Sequence, residues 1–179
     1  MIRILSSDTA TKSSGWSVLD LDIELFKKTK NIKKSIHYID SGKIKISDGN
    51  FMERLPYIYY QYKEVFDKYN PIDYVVLEDI FIGKNIDSTL KLAKTHGLVF
   101  ALGLDVNAKM KYYHPTTIKK QLTNDASAKK GQVSRMVCEL LNLKLISNKD
   151  NDISDAIGIG ICHCKFLCRG VMKNANKTK

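Results

Sequence analysis

Four carboxylates in this 179-residue chain stand where charge is awkward. Asp8 closes the short β-prone run that begins at Ile2, and Glu78 closes Tyr74-Val75-Val76-Leu77, the most apolar strand-like segment of the chain. Asp152 and Asp155 share one face at the start of a helix whose next turns, Ala156-Ile157-Gly158-Ile159-Gly160-Ile161, are apolar and therefore buried. An acid beside such surface needs a partner. If the first strand lies beside the Glu78 strand, the four acids converge, and each raises the others' pKa unless cations neutralise them. Two hard divalent ions with oxygen ligands resolve that conflict. Held about 3.5–4 Å apart, such ions cleave phosphodiesters, one activating water and the other stabilising the leaving oxygen. Taken singly, Asp152 also suits a helix N-cap and Asp8 a turn, whereas an unpaired Glu78 at the end of a buried strand has no such duller role.

Charge supplies the partner class. Lys and Arg number 29 against 19 Asp and Glu, a formal net charge of +10, which points to a polyanion, nucleic acid before membrane. Lysines cluster at Lys27 to Lys34, at Lys119 and Lys120, at Lys129 and Lys130, and from Lys165 to Lys179. No apolar run approaches the roughly 18–20 residues of a membrane span. Asp8 interrupts the N-terminus before a signal-peptide hydrophobic region is complete, so a cytoplasmic protein is expected. Cys162, Cys164 and Cys168 crowd into one segment, with Cys138 apart. At helical spacing Cys162 and Cys164 point about 160° apart, which suits buried reduced thiols rather than a zinc site, and His163 reads as structural.

The elements that must position the acids follow from periodicity. Ile2 to Asp8 and Trp16 to Leu19 read as a hairpin with Asp8 at its mouth, and Asp20 to Lys34 as an extended hairpin or a mobile basic insertion with exposed lysines. Ile36 to Asp40 and Lys43 to Ser47 read as strand material around a turn at Ser41-Gly42. Phe51 to Tyr69 is an amphipathic helix, capped by Asp48 or Asn50 and ended by Asn70-Pro71. Ile86 to Leu104 is helical with two apolar faces, one for the core and one, carrying Leu92 and Val99, read as outward and available to a second subunit. Lys109 to Tyr113 is a strand. Helices follow from Pro115, from a cap at Ser127, and from Asp152 to about Leu167. Strands followed by alternating helices and strands imply an α/β fold, a mixed central sheet with helices on both faces. Length and 44% hydrophobic content supply one core, hence a single domain over 1–170 and a basic tail over 171–179.

The combination of Val75 to Phe81, Gly83-Lys84-Asn85, Ser88 to Ala93, His96-Gly97, Pro115 to Lys120, Ala128 to Val133 and Asp152 to Ile159, with Asp8 and Gly15 before it, resembles RuvC-type Holliday junction resolvases of the RNase H-like superfamily. The resemblance implies a homodimer that resolves four-way DNA junctions by paired nicks. It implies Mg²⁺ or Mn²⁺, two ions per site, held by Asp8, Glu78, Asp152 and Asp155. By position Phe81 matches an aromatic inserted near the junction centre, and Lys119 and Lys130 match basic residues near the scissile phosphate. Lys84, Lys120 and Lys129 beside them extend the expected DNA-binding set, and the helix over 86–104 is the expected dimer surface.

The chain departs from the family pattern at Asp8-Thr9-Ala10, where Asp-Pro-Gly is usual, in its longer basic insertion, and in lacking glycines over Thr123 to Ala126. These departures suggest a divergent, phage-encoded relative and a relaxed choice of branched DNA, three-way and fork structures included. Competing readings are a non-catalytic junction-binding protein, an RNase H acting on RNA–DNA hybrids, and an actin-like ATPase fragment. The last needs two such halves and a second phosphate-binding hairpin, which the chain lacks.

Overall fold

The computed structural model describes residues 1–10, 13–45, 49–81, 85–144 and 151–177, the side chains up to residue 173. Among the described residues five strands, β1 (Ile2–Asp8), β2 (Ser13–Leu21), β3 (Ile36–Lys45), β4 (Tyr74–Glu78) and β5 (Lys109–Tyr113), form one mixed sheet in the order β3-β2-β1-β4-β5. β1, β2 and β3 are antiparallel neighbours, whereas β4 runs parallel to both β1 and β5. The parallel pairing of β1 with β4 sends both strands toward the same edge, so Asp8 and Glu78 emerge together.

Alternation along the strands splits the core into two layers. Leu5, Val75 and Leu77 face α3 (Phe51–Tyr69) and α4 (Ile86–Asp105), meeting Ile58, Tyr62, Phe66, Val99 and Leu102. Ile4, Leu19 and Val76 face the other way, onto α5 (Pro115–Thr123), α6 (Lys130–Leu141) and α7 (Asn151–Lys177), meeting Leu122, Val137, Ile157 and Ile161. Gly158 and Gly160 let α7 lie close: a Cβ on Gly160 would stand 2.7 Å from Ser6 Oγ.

Five sequence expectations need correction. The Asp20 to Lys34 segment is neither an extended hairpin nor loose: its first two residues finish β2 and the rest is mostly helical. Asp20 is the cross-strand partner of Arg3 and takes two 2.8 Å hydrogen bonds from its guanidinium. Beyond it stand α1 (Ile23–Thr29), capped by Asp22, and α2 (Ile32–Ser35), capped by Asn31, with Phe26 buried; Lys27, Lys28, Lys30, Lys33 and Lys34 are exposed as expected. Ser41-Gly42 is no turn. β3 passes straight through it, because the missing side chain at Gly42 leaves room for Trp16, whose ring a Cβ there would meet at 2.8 Å. α6 is entered through Lys129 rather than Ser127, whose N–H and hydroxyl both bond to the Asp125 carboxylate in a local turn. α7 runs past Leu167 to Lys177. Finally, the faces of α4 are exchanged. Val99 is fully buried on the sheet, Leu92 is half-buried, and Ile86, Leu90, Phe100 and Leu104 are exposed. Periodicity finds two apolar stripes on a helix but does not say which one its own sheet takes.

Candidate active site

Asp8 and Glu78 reach the site from neighbouring strand ends, and Asp155 from the first turns of α7. These three line one cavity of about 220 Å³ with Lys119 of α5 and Lys130 of α6, over an apolar floor of Ile118, Val133 and Ile159. The backbone brings α7 in by two contacts. Ser6 Oγ donates to the Ala156 carbonyl at 2.8 Å and accepts from Ser17 Oγ at 2.7 Å, a buried polar stitch between β1, β2 and α7. At the hairpin mouth Gly15, paired with Asp8, touches the backbone of Asp152 so closely that a Cβ would stand 2.0 Å from its carbonyl oxygen. Ser7 completes the support: its hydroxyl donates to the Gly15 carbonyl at 2.7 Å and accepts from Tyr62 at 2.6 Å.

The electrostatics are those of crowded carboxylates. Burial, with Asp155, Glu78 and Asp152 nearby, pushes the Asp8 carboxyl up to about 7 against the opposing charge of Lys130. Glu78 is also raised, first by burial and then by Asp155, with Lys130 and Lys119 opposing. Lys130 Nζ donates to Asp155 Oδ2 at 3.0 Å, and this bond holds the lysine above its ordinary pKa. Asp152 stands at the rim, outside the cavity lining, where its Oδ2 accepts from Ser13 Oγ at 2.9 Å. Of the four acids the structure thus gathers three at one cavity and sets the fourth one helical turn away. Among the described residues no three Asp, Glu, His or Cys side chains are close enough to share one ion in this arrangement. Lys130 pairs with one of these acids, Asp155.

Phe81 lies just beyond β4, 48% exposed, its ring edge-on to His114 at 4.3 Å between centroids. Lys120 and Lys129 lie outside the cavity lining, and Lys84 lies outside the described residues. Sequence reasoning missed Ser6, Ser7 and Ser13, although two serines inside an otherwise apolar strand are a signal that hydroxyls bond within the core. It also missed His114, whose Nδ1 accepts from the Thr116 N–H and thereby caps α5 beside Phe81. Cys138, Cys162, Cys164 and Cys168 are buried free thiols. His163 Nδ1 bonds to the Tyr113 hydroxyl at 2.7 Å inside the core, and burial lowers its pKa to about 4. No described helix is long and apolar enough to cross a membrane.

A family model described as crossover junction endodeoxyribonuclease RuvC matches residues 5–163. Proteins of that description from Legionella pneumophila and Pseudomonas fluorescens are 34% and 31% identical over 164 and 163 residues, each alignment covering 91% of this chain and 87% and 86% of the relative. Of solved structures, T. thermophilus RuvC in complex with a Holliday junction substrate is similar at TM-score 0.79 and 20% identity, covering 95% of this chain and 97% of the other. A fowlpox virus resolvase bound to Holliday junction DNA is similar at TM-score 0.56 and 16% identity, over 93% and 99%. At those identities the two structures speak for the fold. With the family model spanning most of its length and the RNase H-like sheet beneath the site, this chain belongs to the RuvC family of crossover junction endodeoxyribonucleases.

Proposed function

We propose that this protein resolves four-way DNA junctions by paired, metal-dependent nicks in symmetric strands, with Asp8, Glu78, Asp152 and Asp155 as the metal-holding acids. The observation that carries the reading is the convergence of Asp8, Glu78 and Asp155 on one cavity flanked by Lys119 and Lys130. These acids offer oxygen donors only, and burial together with the neighbouring carboxylates raises Asp8; such a set suits hard divalent cations. Mg²⁺ or Mn²⁺ bound there, two ions per site, supplies an activated water and charge stabilisation of the leaving oxygen. The chain's own groups do the rest. Lys119 and Lys130 attract the scissile phosphate, Ser13 orients Asp152, and the apolar floor limits bulk water around the reacting phosphate.

The test compares a labelled four-way junction with a matched linear duplex, with and without Mg²⁺. Symmetric nicks in the junction alone, and only with the metal, are expected. Metal-independent binding without nicking would favour a non-catalytic junction binder. We extend the proposal to three-way and fork branches, to be read from the same panel, although the exposed lysines of α1 and α2 lie at the end of the sheet away from the acids and do not border the cut.

A junction has two-fold symmetry, so the proposed active species is a symmetric homodimer. Its proposed surface is the exposed α4 stripe of Ile86, Leu90, Phe100 and Leu104. Leu90→Asp or Phe100→Asp should yield folded monomers that cut junctions poorly, and sedimentation of a wild-type monomer at micromolar concentration would refute the assignment. Phe81→Ala should leave melting nearly unchanged, since the ring is half exposed. It should nevertheless slow resolution, base stacking on an aromatic contributing about 1–3 kcal/mol. A large fall in Tm with normal cutting would instead make Phe81 a packing residue.

A further inference from the structure

At the end of the sheet opposite the carboxylates, α1 and α2 meet the end of α5 and the far half of α7 around a second cavity of about 240 Å³. Arg169 on its wall is fourteen residues along α7 from Asp155, or about 21 Å at 1.5 Å per residue. The floor is apolar, made of Phe26, Ile32, Cys168 and Met172. Three cations border it, Lys30, Lys165 and Arg169, and no acidic side chain lines it. None of the three has an ion pair among the described residues. Lys165 Nζ donates to the Gln121 backbone carbonyl at 2.6 Å, and burial together with Arg169 holds its pKa below the ordinary lysine value. Gln121, another wall, is 9% exposed, and its side-chain Oε1 has no hydrogen-bond partner among the described residues.

We propose that this cavity docks an acidic peptide segment of a partner protein, one large apolar side chain filling the floor and flanking carboxylates meeting Lys30, Lys165 and Arg169. The space is smaller than the roughly 300–1,000 Å³ of sites that enclose a whole small ligand, but it suits a single anchoring side chain. Clustered cations around such an anchor are the usual complement of an acidic motif. A phosphate backbone has no apolar group to set on the floor. The chain's own residues after Met172, rich in lysine, carry the same sign as the rim and are not the occupant. The docking site is independent of the nuclease reading, being remote from the acids.

The experiment is fluorescence anisotropy of a fluorescein-labelled peptide, Asp-Glu-Glu-Leu-Phe-Asp-Glu, titrated with the full chain. Saturable binding is expected, weakened at least about tenfold by Arg169→Glu or by serine in place of the peptide's phenylalanine, and unchanged in Glu78→Gln. Lys30 and Arg169 are exposed, so Lys30→Glu and Arg169→Glu should melt like the wild type. No saturation at millimolar peptide, or equal affinity for the serine peptide, would overturn the proposal. Displacement of the peptide by AMP or a short single-stranded oligonucleotide at lower concentration than by unlabelled peptide would also overturn it, and would reassign the cavity to nucleotides.

Discussion

Glu78→Gln and Asp155→Asn are each expected to abolish nicking of a four-way junction while leaving its binding intact or tighter. Each substitution removes a negative oxygen from the cavity proposed to balance carboxylates against cations, and a loss of several kcal/mol of transition-state stabilisation is about a thousandfold or more in rate. Binding rests on lysines and phosphates, so it should survive in the variants and fall steeply with salt, each neutralised phosphate contributing a slope near −0.9 on a log–log plot. A second readout does not depend on activity. Mg²⁺ in about hundredfold excess over its Kd should stabilise the wild type by about 2.7 kcal/mol, and Asp8→Asn should blunt that response. Full-rate cleavage by either acid variant would remove the metal-site assignment.

Gly15→Ala should be nearly as damaging, through the backbone alone. Its Cβ would stand 2.0 Å from the Asp152 carbonyl oxygen and 2.3 Å from the carbonyl carbon, and neither is the flexible end of a side chain. Either the hairpin or the start of α7 must move. Overpacking of this kind costs about 1–3 kcal/mol, which for a chain of this size lowers Tm by roughly 2–12 °C. Displacing Asp152 and Asp155 relative to Asp8 by about 1 Å costs roughly a hundredfold in rate. Gly170→Ala is the control. It lies inside α7 with nothing within 4 Å of the place its new methyl group would take, so it should be neutral or stabilising by up to about 1 kcal/mol. Wild-type melting and nicking in Gly15→Ala would show that the close approach of hairpin and helix is not required.

The positions of the acids are legible because each breaks a local rule. Asp8 and Glu78 end apolar strands, and Asp152 and Asp155 begin a buried helix, so the sequence itself marks them as out of place. The side-chain state is not legible. The bond from Lys130 to Asp155 joins α6 to α7, and the bond from Ser13 to Asp152 spans 139 residues, so neither leaves a periodic trace. Gly42 reads as a turn only because the need for a glycine comes from Trp16 on the neighbouring strand. The α1–α2 segment reads as loose because a lysine-rich composition hides the buried Phe26 and the caps at Asp22 and Asn31. α4 shows the limit most plainly: both stripes are apolar, and only the sheet decides that Val99 goes in and Leu90 stays out.

The stitch from Ser6 to Ala156 joins residues 150 apart in sequence. During synthesis at about 5–20 residues per second, β1 leaves the ribosome roughly 8–30 s before the segment that must lie against it. Asp8 and Glu78 are therefore made long before Asp155, and a growing chain holds only part of the acid set. On the proposed assignment of the acids, a chain truncated before α7 should not nick DNA, because Asp152 and Asp155 are missing from it.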